Sequence, residues 1–205
     1  MPYPDRFYPV VDTVAWVERL VRLGVGTVQL RAKDLSHADA LPLVRAAVAA
    51  TRGTRIRLVV NDYWQAAIDT GAQHLHLGQE DLVDADIAAI RRAGLTLGLS
   101  THDDEELENA LRYDPDCVAL GPIYPTTLKV MRFGPQGLDK LAIWKERIGN
   151  IPLIAIGGIT LEQAPAVFKA GADSIAVVSD VTRNPDPDAR VRAWLEHTAQ
   201  PAVPA

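Results

Sequence analysis

Gly171-Ala172-Asp173-Ser174-Ile175-Ala176-Val177 joins a glycine that ends a helix-type segment to a short apolar run with the composition of a strand. Glycine adopts the left-handed conformation that stops a helix at little steric cost, so the chain can turn directly from helix into strand. The same arrangement recurs at residues 24–30, 71–77 and 94–99. This repeat predicts that helix and strand alternate along the chain.

Eight short aliphatic or β-branched runs are predicted to be buried strands. Amphipathic segments long enough to connect parallel strands lie between them, for example at residues 14–23, 39–50, 84–92 and 161–170. Alternating units with short connections predict an α/β fold, a closed (β/α)8 TIM barrel, with a doubly wound open sheet as the alternative. The predicted strands are residues 8–11, 27–30, 57–61, 73–77, 97–100, 117–121, 152–156 and 174–178.

The length and composition are those of an ordinary globular protein. The chain has 205 residues, of which 48% are hydrophobic and 23% charged, so extensive disorder is not expected. No internal domain boundary is evident. Residues 1–198 are therefore predicted to form a single catalytic barrel domain, and residues 199–205 a flexible C-terminal tail.

The charge pattern argues for a small-molecule site. Lys and Arg number 21 against 26 Asp and Glu, giving −5, and the charges are scattered, so neither nucleic acid nor a membrane is an expected partner. An anionic substrate must be held by local groups or a metal ion.

Cys117 lies in an apolar run and is read as a buried small side chain. With no long apolar stretch and no signal-peptide pattern, the protein is expected to be cytoplasmic; a homodimer is possible because dimers are common among such barrels.

Two acidic residues follow neighbouring predicted strands, Asp62 after the third and Asp81 after the fourth. In a parallel barrel the carboxyl ends of all strands meet at one mouth, where catalytic groups lie. Two carboxylates facing that mouth suit magnesium, which retains waters or substrate oxygens as its other ligands. The alternative is that each residue simply caps a helix or turn.

Three cations also follow strands, in apolar or glycine-rich surroundings: Arg31, Lys33 and Lys129. Each taken alone could be a solvated loop charge. Three cations and two acids at one mouth instead favour a metal-bound polyphosphate.

Backbone groups offer a second anion site. Gly157-Gly158 follows the seventh strand, and Val178-Ser179 follows the eighth, where barrels often bind phosphate through N–H groups. The alternative for the glycines is a tight turn.

His74 and His76 alternate along the fourth strand, so their side chains point to the same face, either as interior residues or as ligands. No Cys or further His occurs at metal spacing, which argues against zinc.

Seven blocks, in order along nearly the whole chain, strongly resemble the thiamine phosphate synthase family. The blocks are Val28-Gln29-Leu30-Arg31-Ala32-Lys33, Val60-Asn61-Asp62, His76-Leu77-Gly78-Gln79-Glu80-Asp81, Gly98-Leu99-Ser100-Thr101-His102, Gly121-Pro122-Ile123-Tyr124-Pro125-Thr126, Pro135-Gln136-Gly137 and Ala155-Ile156-Gly157-Gly158-Ile159. The resemblance implies a transferase of thiamine biosynthesis. It would condense 4-amino-2-methyl-5-pyrimidinylmethyl diphosphate with 4-methyl-5-(2-phosphoethyl)thiazole, giving thiamine monophosphate and pyrophosphate.

The resemblance also implies roles for individual residues. Asp62 and Asp81 would bind Mg²⁺. The leaving diphosphate would be held by Lys129, Ser100 and Arg31, which are the implied catalytic groups. The pyrimidine diphosphate would contact Gln29, Arg31, Lys33 and Asn61, and the thiazole phosphate would contact Thr126, Thr127, the backbone of Leu128, Gly158, Val178 and Ser179.

The chain departs from the family pattern in one place. The family usually has Pro-Thr-x-Thr-Lys after the sixth strand, whereas this chain has Pro125-Thr126-Thr127-Leu128-Lys129, which lacks the second hydroxyl. Two alternatives to a synthase are a thiazole tautomerase on the same barrel and a non-catalytic phosphate-binding barrel. The diphosphate-binding cations and the acidic pair argue against the tautomerase, because moving a proton within one ring needs neither.

Overall fold

A computed structural model describes residues 3–126 and 133–199, in which strands and helices alternate. The eight strands all form where the sequence predicts them, with small shifts at their ends. They are β1 Phe7–Val11, β2 Thr27–Leu30, β3 Arg57–Asn61, β4 His74–Leu77, β5 Thr96–Thr101, β6 Cys117–Leu120, β7 Leu153–Ile156 and β8 Ser174–Val177.

Helices follow each strand and cover the outside of the sheet. The four glycines of the sequence repeat, Gly24, Gly71, Gly94 and Gly171, have φ angles of 78°, 71°, 75° and 104°, as expected for residues that end a helix. In the described part of the chain no helix is long and apolar enough to cross a membrane. The helices are α1 Val14–Arg22, α2 His37–Thr51, α3 Trp64–Thr70, α4 Gln79–Leu82, α5 Ile87–Arg92, α6 Asp104–Leu111, α7 Gly137–Ile148, α8 Ala164–Lys169, α9 Ser179–Thr182 and α10 Pro187–Ala199, and Leu161–Gln163 form a 3₁₀ turn.

Two predicted helices start later than expected because of local capping. The helix predicted at residues 84–92 begins at Ile87, since the carboxylate of Asp86 accepts from Ala89 N at 2.8 Å. The segment predicted at residues 161–170 begins with the 3₁₀ turn before α8. At the C-terminus α10 extends to Ala199, and the rest of the predicted tail, residues 200–205, lies outside the described residues.

The strands form a closed parallel barrel in sequence order, and the open-sheet alternative is wrong. The closing pair is β1 with β8, in which Phe7 lies opposite Ile175 and Tyr8 opposite Ala176. Every neighbouring pair is parallel, so all eight strands end on the same side. The barrel therefore gathers the polar strand ends at one mouth, as the sequence predicts.

The core has an inner and an outer layer. The inner cluster contains Tyr8, Val59, Cys117 and Ile154, which come from alternating positions of their strands. Cys117 is fully buried, as predicted. Two larger clusters pack the other faces of the strands against the helices. The inner layer is a filled core, so substrates can reach the barrel only at its mouth.

The amino-terminal segment covers the opposite end of the barrel. Asp5 N donates to Thr27 Oγ1 at 3.1 Å, and the Asp5 carbonyl accepts from Ser174 Oγ at 2.6 Å. The Asp5 carboxylate also pairs with Arg57 at 3.1 Å, and the ring of Tyr3 stacks on His74. These contacts lie at the starts of β2, β3, β4 and β8, which leaves the carboxyl end of the barrel for chemistry.

We expect Thr101→Val to lower the free energy of unfolding by about 1–3 kcal/mol, because Thr101 Oγ1 accepts from Trp144 Nε1 at 3.0 Å and both residues are buried. The substitution leaves a buried indole N–H without a partner. Urea unfolding of Thr101→Val, Trp144→Phe and the double variant gives the coupling energy. Thr70→Val is the control, since the Thr70 hydroxyl donates to carbonyls of its own helix and to no other group among the described residues. A zero coupling energy would contradict the expectation.

Candidate active site

The mouth brings the two predicted acidic residues together. Asp62 follows β3 directly, and its N–H donates to the carbonyl of His76 at 2.9 Å, which extends the ladder between β3 and β4. Asp81 lies in α4, immediately after β4. Burial, together with the nearby carboxylate of Asp62, raises the pKa of Asp81. The Asp62 carboxylate therefore lies close enough to Asp81 to disfavour ionisation of Asp81.

Capping explains only one of the two acids. The cap residue of α3 is Tyr63, which makes no side-chain capping bond, so the alternative that Asp62 caps this helix is wrong. Asp62 instead has φ +67°, a left-handed conformation that aspartate tolerates better than most residues. Asp81 does accept from Gly78 N at 3.1 Å through Oδ2. That bond holds the Asp81 carboxylate next to Asp62.

Two of the three predicted cations lie in the described residues, and one of them is paired with an acid of the mouth. Lys33 Nζ lies 3.0 Å from Asp62 Oδ2, so this lysine is ion-paired at the mouth. Arg31 lies close enough to His76 to contribute to lowering the pKa of its imidazole. Lys129, together with Thr127 and Leu128, lies outside the described residues.

Two amides from neighbouring strands are buried beneath the mouth. Gln29 Nε2 donates to the hydroxyl of Tyr8 at 2.9 Å. Asn61 is only 4% exposed, and its Nδ2 has no hydrogen-bond partner among residues 3–126 and 133–199. A buried N–H without a partner costs about 1–3 kcal/mol, so Asn61 is a site where a ligand acceptor would be stabilised.

Ser100, at the end of β5, is held by two neighbours. Its Oγ lies 2.8 Å from His76 Nε2, and its carbonyl accepts from Gln79 Nε2 at 2.8 Å. Burial lowers the pKa of His76 to about 4, so its ring is neutral at pH 7. The sequence left His76 open as an interior residue or a ligand and did not identify it as the partner of Ser100. The alternation of strand residues could have suggested the pair, because His76 lies opposite Gly98, two residues before Ser100.

The glycines after β7 lie against the loop after β6. Gly157 and Gly158 have φ angles of +99° and +69°, and a Cβ on Gly158 would lie 2.5 Å from the carbonyl oxygen of Pro125. Both a tight turn and a close backbone approach therefore require glycine here. Tyr124 N also donates to the Gly157 carbonyl at 2.9 Å. These contacts bring Gly158 next to the loop that carries Thr126.

The last two predicted residues, Val178 and Ser179, lie directly after β8. Val178 directly precedes the short helix α9, with φ −117° and ψ −82°, and Ser179 is the first residue of that helix. Because β7 and β8 pair side by side, this segment neighbours the Gly157-Gly158 turn. The described site residues thus divide into an acidic side on β2 to β5 and a backbone-rich side on β6 to β8.

A pocket of about 300 Å³ adjoins the acidic side. Four of its lining residues are carboxylates: Asp62, Glu80, Asp81 and Asp84. Such a lining would repel a bare phosphate and attract a cation. The described residues contain no cluster of three or more His, Cys, Asp or Glu suited to a metal. A close pair of carboxylates nevertheless fits Mg²⁺, which commonly uses one or two protein carboxylates and completes its shell with water and substrate phosphate.

Comparison with known proteins gives a consistent result. A family model described as thiamine monophosphate synthase matches residues 7–181. A thiamine-phosphate synthase from Rhizobium etli is 59% identical over 195 residues, covering 95% of this chain and 96% of the relative. Another from Cronobacter sakazakii is 52% identical over 187 residues, covering 90% and 89%. Among solved structures, a thiamine phosphate pyrophosphorylase from Pyrococcus furiosus superposes with a TM-score of 0.82 at 25% identity, covering 95% of each chain.

The buried imidazole of His76 predicts a loss of stability in mild acid. Its pKa in the folded protein is about 4, below the ordinary 6.5, so the unfolded chain binds a proton between these values and the folded protein does not. Stability should be greatest above pH 6.5 and fall towards pH 4, by up to about 3 kcal/mol from this group. Urea unfolding at several pH values gives the free energy of unfolding as a function of pH, and between pH 6.5 and pH 4 this free energy should fall less steeply in His76→Asn than in wild type. An equally steep fall in both proteins would contradict the role given to His76.

Proposed function

The chain belongs to the thiamine monophosphate synthase family and is a transferase, a thiamine-phosphate synthase; from this premise we propose how its own residues carry out the reaction. The observation that supports this proposal is the placement of Asp62 after β3 and Asp81 after β4 at one mouth, where burial and the neighbouring Asp62 carboxylate raise the pKa of Asp81. Two carboxylates so close together form a site that a divalent cation would stabilise. We assign Mg²⁺ to this pair, and the bound ion would neutralise charge on the departing diphosphate.

The diphosphate of the pyrimidine substrate is assigned to the acidic side of the mouth. Arg31 and Lys33 follow β2, and Lys33 already lies 3.0 Å from Asp62, so a cation and its counter-charge are in place. Ser100 offers a hydroxyl whose orientation is set by the neutral ring of His76. Lys129 supplies a third positive charge in this assignment. Together these groups can hold the charge that builds up on the leaving oxygen.

The pyrimidine ring is assigned to the two buried amides. Asn61 Nδ2, which has no partner in the described part of the chain, can donate to an acceptor on the ring. Gln29 is oriented by the Tyr8 hydroxyl and lies opposite Val59 of the neighbouring strand, two residues before Asn61. Such fixed amides orient the ring so that its methylene carbon faces the thiazole.

The thiazole phosphate is assigned to the backbone-rich side of the mouth. Its contacts would be the Thr126 and Thr127 hydroxyls, together with N–H groups at Leu128, Gly158, Val178 and Ser179. Close contact between Gly158 and the carbonyl of Pro125 keeps the two loops adjacent, so one phosphate can reach both. Leu128 removes a hydroxyl that the family pattern has at this position. Because a hydrogen bond to a charged acceptor is worth about 1.5–3 kcal/mol, its loss should weaken binding without ending synthesis.

The reaction requires one bond to break and one to form. The bond between the pyrimidinylmethyl carbon and the diphosphate oxygen breaks, and its electron pair leaves with pyrophosphate. The lone pair of the thiazole nitrogen then forms the new C–N bond. No proton moves, which agrees with a mouth rich in charged and amide groups. The chain's task is to hold the two substrates in line and to stabilise the leaving charge.

Synthesis from both substrates with Mg²⁺, followed as pyrophosphate release, tests the proposal. A tautomerase or a non-catalytic barrel would release none. The substrates are the expected small-molecule partners. Cytoplasmic location and homodimer formation stay predictions.

We expect Asp62→Asn and Asp81→Asn each to lower kcat by about three powers of ten. A pair of unit charges at about 4 Å contributes roughly 4 kcal/mol at an effective dielectric of about 20, and about 1.4 kcal/mol changes a rate tenfold. Raising the Mg²⁺ concentration should recover part of the rate if metal affinity is what was lost. Glu105→Gln removes an exposed carboxylate on α6 and is the control. Unchanged rates at saturating substrates would overturn the metal assignment.

We expect Lys129→Ala to lower kcat more than it raises KM for the pyrimidine diphosphate. Charge on the leaving oxygen grows towards the transition state, so the lysine should stabilise that state more than the ground state. Steady-state kinetics with both substrates gives the two parameters. Lys169→Ala, on the exposed end of α8, is the control. An effect on KM alone would mean that Lys129 only binds the ground state.

A further inference from the structure

Arg190, in the last helix, joins the two loops to which the thiazole phosphate is assigned. Its Nε and Nη2 lie 2.8 Å from the two carboxylate oxygens of Asp180, which lies two residues after Val178. Its Nη1 and Nη2 lie 2.8 and 2.9 Å from the oxygens of Glu162, four residues after Gly158. One guanidinium therefore ties the segment after β7 to the segment after β8.

The contact with Asp180 is the more buried of the two. The side chains of Arg190 and Asp180 are 17% and 10% exposed, whereas Glu162 is 68% exposed. Exposed ion pairs contribute little, and partly buried, bidentate pairs contribute more. Asp180 Oδ2 also accepts from Trp194 Nε1 at 2.7 Å. Its carboxylate is thus fixed from α10 by two donors, one of them charged.

The position of Asp180 is unfavourable for phosphate binding unless its charge is cancelled. It follows Ser179 directly, so an unpaired carboxylate here would repel a phosphate bound to the backbone at residues 178–179. Arg190 removes that repulsion by pairing with both carboxylate oxygens. The same bonds turn Asp180 towards α10. The sequence contains the pair only as two distant polar residues, ten positions apart.

We propose that Arg190 is a positioning residue for the thiazole phosphate: it neutralises Asp180 and holds the segments after β7 and β8 at the spacing at which both can donate to one phosphate. The proposal rests on the function proposed above. Arg190 itself does not need to touch the substrate. Among the described residues, its guanidinium donates hydrogen bonds to Asp180 and Glu162. A lysine could replace its charge but not the fork that reaches both carboxylates.

The main test compares the two substrates in Arg190→Met. We expect KM for the thiazole phosphate to rise ten- to a hundred-fold, KM for the pyrimidine diphosphate to change less than two-fold, and kcat at saturation of both to change less than three-fold. Arg190→Lys should fall between wild type and Arg190→Met. In Arg190→Met/Asp180→Asn the repulsive charge is gone, so KM for the thiazole phosphate should fall at least three-fold from the Arg190→Met value.

Arg147 provides a matched control for loss of an ion-pair network. Its guanidinium, on α7, also pairs with two carboxylates, Asp104 and Glu108 of α6, and among the described residues it does not contact the segments after β7 and β8 to which the thiazole phosphate is assigned. Arg147→Met should leave both KM values within two-fold of wild type, and thermal unfolding of both Met variants shows whether the fold is kept. Equal rises in both KM values, or no rise for the thiazole phosphate in a folded Arg190→Met, would overturn the proposal. The proposal would also be wrong if KM for the thiazole phosphate in Arg190→Met/Asp180→Asn stayed as high as in Arg190→Met.

Calorimetry with the thiazole phosphate alone separates this inference from the proposed synthesis. If wild type binds it and Arg190→Met binds it at least ten-fold more weakly, the role of Arg190 stands even when no pyrophosphate is released. If wild type makes product and Arg190→Met binds the thiazole phosphate as tightly as wild type, the role of Arg190 is wrong and the synthase assignment stands. If wild type neither binds this ligand nor makes product, both are wrong.

Discussion

The parallel pairing of β1 with β8 closes the sheet, and the arrangement of the mouth depends on this closure. Phe7 opposite Ile175 and Tyr8 opposite Ala176 fix the register of the closing pair. With no free edge, each strand has neighbours on both sides, and because every pair is parallel, all eight strands end on the same side of the barrel. Residues far apart in the chain, such as Lys33 and Asp62, then meet because their strands are neighbours.

The mouth contains polar groups that the folded protein alone leaves unfavourable. Asp81 lies against Asp62 and has a raised pKa, and Asn61 carries a buried N–H without a partner in the described residues. Each arrangement costs stability in the absence of a ligand and gains it back when a cation or an acceptor binds. A protein of net charge −5 can bind two anionic substrates in this way, since the local groups outweigh a weakly repulsive overall charge.

Interactions just outside the mouth decide how accurately these groups are placed. Ser100 is held by His76 and Gln79, and the next residue, Thr101, bonds the indole of Trp144 on α7. Asp180 is fixed from α10 in a similar manner. In both cases a helix on the outside of the barrel fixes the end of an inner strand or the turn that follows it. Such support limits the side-chain motion that would otherwise weaken electrostatic stabilisation of a leaving group.

The eight strands, their alternation with helices and the family can all be predicted from the amino-acid sequence, because they depend on local signals: apolar runs, helix-ending glycines and ordered motifs. Only the tertiary structure decided which side chains meet. Spacing along the chain could not show that Asp62 is not a helix cap, that His76 bonds Ser100, or that Asp180 pairs with Arg190. Those contacts follow from the barrel register and from the direction in which each side chain leaves its strand or helix, and both are fixed only when the sheet closes.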